Sequence, residues 1–274
     1  KVALMGKPNV GKSSLFNKLI GEERVIVSPI AHTTREPHDT LVEVDYPPTE
    51  DSKKGAKEHI LFIDTAGIRR KTKVSGELER LGIGKSIATI NRTDIVLLLI
   101  DATEPITDQD QQLGGLLREH TKSVVIVVNK WDMSDDNTDN FRNETKKKIY
   151  SYFPHLNYAP IVFISAKTGY RVHHIFELLR QAWAGRHTEL DDRTLADFLR
   201  RAQHKHKPAT GLGVRHPKLL GFKQLRTNPP MFELFIKSNT SVHISYVHYL
   251  ENLLRKEFDF FGTPIIIKLT KMKR

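Results

Sequence analysis

Residues 6–14 read GKPNVGKSS. Within them, Gly6-x-x-x-x-Gly11-Lys12-Ser13 is a phosphate-binding pattern, and it constrains the fold more than any other stretch. Glycines let the backbone curl so that successive N–H groups point inward at phosphate oxygens. The helix that follows adds partial positive charge at its N-terminus. Both effects need a strand running into the loop and a helix running out. The flanks agree, because KVALM reads as a short apolar strand and SSLFNKLIG as a helix ending at Gly21. A unit of this kind belongs to an α/β domain with a mainly parallel sheet. The loop opens the chain almost at once, so a longer parent protein with further sequence upstream is expected.

The next 170 or so residues repeat the same alternation. HILFID, DIVLLLID, SVVIVVNK and APIVFISAK are apolar runs of the buried parallel-strand type. LERLGIGKSIATI, QDQQLGGLLREH, NETKKKIYSYF and VHHIFELLRQAWA are amphipathic stretches between or after them. LVEVDYPPTEDSKKGAKEHILFID reads as a hairpin with a polar tip, PPTEDSKKGAKE, which is taken as a solvated loop. After Gly185 the texture changes. LDDRTLADFLRRAQ reads as a helix with an acidic start and a basic end. MFELFIKS reads as a strand, ISYVHYLENLLRKEF as a helix and TPIIIKLTK as a last strand. The expected division is a nucleotide-binding domain over 1–185 and a smaller α+β domain over 186–274.

The loop residues carry defined chemistry. Gly6, Lys7, Pro8, Asn9, Val10, Gly11 and Ser14 form the cradle with Lys12 and Ser13. Lys12 neutralises the β- and γ-phosphates, and the Ser13 hydroxyl takes a Mg²⁺ ligand position. Asn129-Lys130-Trp131-Asp132 follows VVIVV, at the C-terminal edge of a strand, where ligands bind in such sheets. The Asp132 carboxylate can accept from both N1–H and the 2-amino group of guanine, a pair of donors that adenine lacks. Asn129 can bridge the base and the loop, and the Lys130 stem can lie across the purine face. Ser165-Ala166-Lys167 ends the next strand, where a backbone N–H can meet guanine O6. Together these motifs predict GTP and GDP as ligands. Asp64-Thr65-Ala66-Gly67 ends a strand between them, with Ile68 next. Asp64 can hold the water shell of the metal, and the Gly67 N–H can sense the γ-phosphate. Of Thr33 and Thr34, Thr34 is favoured as a hydroxyl ligand to Mg²⁺; a plain turn role is the other reading.

GKPNVGKSSLFNKLIG, TTRE, DTAGIRR and NKWD together resemble the Der (EngA) family of bacterial GTPases. GEERVIVS, IDTAGIRRKTKV and LLLIDATEPITDQD resemble the second GTPase domain of that family. TNPPMFELFIKS, YLENLLRKEF and GTPI resemble its KH-like terminal domain. The resemblance covers essentially the whole chain. It implies a P-loop GTPase domain followed by a KH-like domain, with a first GTPase domain absent from this chain. It also implies a role in assembling the large ribosomal subunit, and hence contact with rRNA. One segment departs from the pattern: HTTREPHD stands where the family has GTTRDAID, with His32, Glu36 and Pro37 as the changes.

Many GTPases orient the attacking water with a glutamine at the position of Ile68. Isoleucine cannot hydrogen-bond water. In similar GTPases the residue at Asn9 coordinates K⁺, which implies K⁺-stimulated, slow hydrolysis. A loop-stabilising amide is the alternative for Asn9, and Arg69 and Arg70 are alternative transition-state groups.

Charge agrees with a polyanionic partner. The net charge is +11, from 43 Lys and Arg against 32 Asp and Glu. Between Leu199 and Phe232 there is no acidic residue, while Arg200, Arg201, Lys205, Lys207, Arg215, Lys218, Lys223 and Arg226 fall there. That segment is the candidate RNA contact, because no GxxG loop stands where a KH groove needs one; docking between domains is the competing reading. His204, His206 and His216 lack metal-ligand spacing. Phe232, Phe235, Tyr246, Tyr249 and Phe258 are expected in the core. The chain has no cysteine, which excludes disulfides and thiolate metal sites. No apolar run is long enough to span a bilayer, and the start shows no leader pattern, so a cytoplasmic protein with no membrane partner is expected. Two other functions fit parts of the sequence. A tRNA-modification GTPase shares the TTR segment, but embeds its GTPase in a helical domain and usually ends in a reactive cysteine. An RNA-binding module that uses nucleotide only to prop its fold is the second.

Overall fold

The computed structural model describes residues 1–27, 39–47, 55–65, 79–134, 136, 138–208, 217–238 and 240–272, with backbone alone for 79–83 and 85. Thr33, Thr34, His32, Glu36, Pro37, Ala66, Gly67, Ile68, Arg69, Arg70, Arg215 and His216 lie outside the described residues, as does most of the hairpin tip. The chain divides into two units, Lys1–Arg180 and Gln181–Arg274.

The first unit is a seven-stranded sheet in the order β2-β3-β4-β1-β5-β6-β7. Strand β1 (Val2–Met5) is buried along its length and runs parallel to β5 (Ile95–Asp101), from Val2↔Ile95 to Met5↔Leu98. Strands β5 and β6 (Ser123–Asn129) are parallel, and every residue of both is buried. Continuous apolar runs suit strands covered on both faces. Strand β7 (Ile161–Phe163) continues the parallel order. Helix α1 (Lys12–Ile20) follows β1, and α2 (Glu79–Asn91), α3 (Asp108–Glu119), α4 (Asp139–Tyr152) and α5 (His174–Arg186) complete the set. Helix α3 starts on a capping box in which the Thr107 and Asp110 side chains satisfy each other's backbone N–H.

The other flank is antiparallel. Strand β3 (Thr40–Tyr46) pairs with β4 (Ala56–Phe62) from Thr40↔Phe62 to Tyr46↔Ala56, as the hairpin reading requires. HILFID is therefore a hybrid, since β4 also meets β1 in parallel at Val2↔Phe62. Strand β2 (Val25–Val27) was not legible, because three half-exposed edge residues carry no period. Since β1, β5, β6 and β7 are parallel, their C-terminal ends share one edge. The loops after Met5, Asp101, Asn129 and Phe163 collect there.

The second unit is built on a three-stranded sheet, β10-β9-β8. Strand β9 (Met231–Lys237) lies between parallel β10 (Ile266–Met272) and antiparallel β8 (Leu219–Arg226). Helices α6 (Asp192–Lys205) and α7 (Ile244–Glu257) supply apolar faces to one core. Leu195 and Phe198 of α6 pack there with Phe222, Phe232, Leu234 and Leu250. The Phe222 and Phe232 rings stack at 5.4 Å. Asp191 caps α6 by accepting from Thr194 N at 2.8 Å.

One reading changes here. Phe232, Tyr246, Tyr249 and Phe258 lie in or against this core. Phe235 does not, because alternation along β9 turns it to the face opposite Phe232 and Leu234, where it is half-buried. The described parts of the basic segment fall partly in regular elements. Its first part is the end of α6, and Lys223 and Arg226 lie in β8. Register shifts at Leu219/Gly221 and Gln224/Arg226 break the period that would have marked β8 as a strand. Several of its cations are paired: Arg200 with Asp197 at 2.7 Å, and Arg201 with Glu257 at 2.7 Å.

Candidate functional site

The phosphate loop takes its shape from left-handed backbone. Gly6 has φ 147°, Asn9 φ 61° and Gly11 φ 99°. At Gly6 a Cβ would stand 2.5 Å from the carbonyl oxygen of Leu99, and at Gly11 it would stand 2.2 Å from Asn129 Nδ2. No side chain could occupy either position without moving β5 or the NKWD segment. Helix α1 has Gly11 at its N-cap, with no side-chain cap and no acidic residue in its first turn. No side chain at the N-cap therefore competes for the start of the helix.

Lys12 crosses back over the loop. Its ammonium donates to Gly6 O and Lys7 O, both at 2.7 Å. Burial lowers Lys12 from its ordinary value to about 8, opposed by the negative charge of Asp110. Lys7 is held outside the loop by Glu104 at 2.6 Å. Val10 is fully buried, whereas Pro8, Asn9 and Ser14 are exposed and Ser13 is half-buried.

Asn129 joins three motifs. It is 2% exposed. Its Nδ2 donates to Val10 O at 2.8 Å, and its Oδ1 accepts from Ala166 N at 2.9 Å. Of the three backbone donors in Ser165-Ala166-Lys167, Ser165 N binds Tyr170 O and Ala166 N binds Asn129. The NKWD turn is anchored by Trp131, buried against Phe163 with ring centroids 4.3 Å apart, and by Trp131 N on Ile164 O at 3.0 Å. Asp132 is exposed beyond it. Lys130 has φ 64°, and its ammonium meets Asp101 Oδ2 at 2.5 Å. Burial would raise the Asp101 carboxyl, but the Lys130 ammonium beside it and the hydrogen bonds from Thr103 outweigh it and hold the group below the usual carboxylate range.

Asp64 has φ 55°, and its N–H donates to Asp39 Oδ1 at 3.0 Å. Asp39 also meets Arg92, just past the end of α2, at 2.5 Å. Thr65 is buried, with its hydroxyl 2.8 Å from that of Thr40. Asp39 and Asp101 are polar residues of this region that motif reading passed over. The only sequence signal for either is a carboxylate at the edge of a strand.

A protein-family model described as a 50S ribosome-binding GTPase matches residues 1–130. A second, described as the KH-domain-like C-terminal part of EngA bacterial GTPase enzymes, matches residues 190–270. The chain is 39% identical over 273 residues to GTPase Der of Clostridium kluyveri, covering 100% of this chain and 59% of that protein. It is 42% identical over 273 residues to GTPase Der of Thermoanaerobacter pseudethanolicus, covering 99% and 59%. The chain belongs to the Der (EngA) GTPase family. It spans 59% of the length of these Der relatives. The Der-family match explains why the phosphate loop, NKWD and SAK segments meet at one sheet edge, and why a three-stranded KH-like unit follows. Among the described residues, no group of three or more His, Asp or Glu could hold a metal, and no helix is long and apolar enough to cross a membrane.

Proposed function

We propose that this chain binds and hydrolyses GTP as the switch region of a factor that assembles the large ribosomal subunit. The observation that supports it best is the Asn129 bridge, with Nδ2 on Val10 O at 2.8 Å and Oδ1 on Ala166 N at 2.9 Å. It ties the phosphate-binding loop to the two segments that would read a guanine base. In this reading Lys12 leaves its loop carbonyls for the β- and γ-phosphates. Asp132 accepts from N1–H and the 2-amino group. The N–H of Lys167 meets O6, since its two neighbours are engaged. The oxygen donors of Ser13 and Asp64, with Thr34, suit Mg²⁺. When bound, that ion neutralises charge on the phosphates. The Gly67 N–H reports the γ-phosphate.

Ile68 offers no hydrogen bond to water, so hydrolysis is slow without help. Asn9, exposed in the loop with its backbone in the left-handed region, is the residue that would hold K⁺. GTP turnover is expected to be faster in KCl than in NaCl at equal ionic strength. Equal rates would remove Asn9 from this role.

The ribosomal part of the reading rests on the family description, the charge of +11 and exposed cations such as Lys218 and Lys223. It carries a cytoplasmic location, because ribosomes are assembled there. The test is co-sedimentation with large ribosomal subunits in a non-hydrolysable GTP analogue and in GDP. Stronger binding in one nucleotide state is expected. Absence of binding in both would overturn the ribosomal role for this chain and leave GTP binding to be judged separately.

A further inference from the structure

We propose that Asp101 is a positioning residue of the base pocket: its carboxylate fixes the Lys130 side chain in place before nucleotide arrives. The proposal rests on the reading of this site as a guanine nucleotide site. Asp101 ends β5 and Asn129 ends β6, and the two are register partners. Lys130 is the next residue along, so the Asp101–Lys130 pair spans the ends of two adjacent strands.

The side chain of Asp101 is 1% exposed. A buried carboxylate is costly unless its oxygens are matched by donors. Here Oδ1 accepts from Thr103 N at 2.9 Å and Thr103 Oγ1 at 2.7 Å. Those two bonds lock the carboxylate in one orientation. The remaining oxygen, Oδ2, holds the Lys130 ammonium at 2.5 Å. A lysine on a loop loses much rotamer freedom when its stem is held still. The left-handed backbone at Lys130 adds a local cost. The anchored carboxylate offsets both during folding, rather than at the moment of binding. The apolar stem is then already laid out as a wall for the base, and less order is left to impose on binding.

A merely structural pair would move stability and leave affinity alone. The test is therefore a double-mutant cycle on GDP affinity, read with a fluorescent GDP analogue on folded protein. Asp101→Asn keeps the shape and removes the charge. Lys130→Met keeps an apolar stem and removes the ammonium. Each single variant is expected to weaken GDP binding about tenfold, the size of a coupling between contacting residues. The double variant is expected to be no weaker than either alone. Affinity unchanged in a folded Asp101→Asn protein, or losses that multiply in the double variant, would overturn the proposal. Failure of the unsubstituted protein to bind GDP at all would instead reject the nucleotide reading beneath it.

Discussion

Asn129→Ala is expected to lower the stability of the first unit and to weaken GDP binding at least 100-fold. The stability loss follows from two groups left behind. Val10 O and Ala166 N each have Asn129 as partner, and Val10 and Asn129 are buried. An orphaned buried donor or acceptor costs about 1–3 kcal/mol, so the pair costs roughly 2–6 kcal/mol. The binding loss follows from the same bonds, because they set the spacing between the phosphate loop and the segments proposed to read the base. In catalysis a misplacement of about 1 Å costs about two orders of magnitude, and a loss of that size is expected for this binding site. Asn129→Asp separates the two contacts. It keeps an acceptor for Ala166 N and turns a second oxygen toward Val10 O, where it repels. Urea unfolding and titration with a fluorescent GDP analogue give both readouts. A folded Asn129→Ala protein with unchanged GDP affinity would disconnect this bridge from the ligand site.

Asp132→Asn is expected to act on the base and hardly at all on the fold. Asp132 is exposed at the end of the NKWD turn, so its replacement should change stability by no more than about 0.5 kcal/mol. An amide offers one donor and one acceptor where the carboxylate offers two acceptors. Guanine, with two donors side by side, then loses charge-assisted bonds of about 1.5–3 kcal/mol each. That is a fall in affinity of roughly 100- to 10,000-fold. Xanthine carries a carbonyl in place of the 2-amino group and matches the amide. Xanthosine diphosphate is expected to displace the fluorescent analogue from the variant better than GDP does. An unchanged preference for GDP would mean that Asp132 does not face the base.

What could be read in the sequence depended on how local the cause was. The long apolar runs of β5 and β6 are legible because burial on both faces favours an unbroken apolar run, with polar residues only at the strand ends. The phosphate loop is legible because one turn of backbone does its chemistry. Asp39 and Asp101 were missed because their partners, Arg92 and Lys130, reach them only through the tertiary fold. Strand β8 was missed because its bulges break the period that marks a strand. The roles of Ser165 and Ala166 could not be divided from composition, since which N–H is engaged depends on Asn129 and Tyr170.

The phosphate loop is not slack. Lys12 donates to two carbonyls of the loop itself, Gly6 O and Lys7 O. The ammonium therefore acts as an internal placeholder, keeping the curl of the backbone closed around a positive charge. In the proposed nucleotide-binding reading, a phosphate would compete with these two carbonyls for the ammonium. Nucleotide binding would then exchange two internal hydrogen bonds for external ones, so the loop's own curl, already held by Lys12, is where its cost would fall.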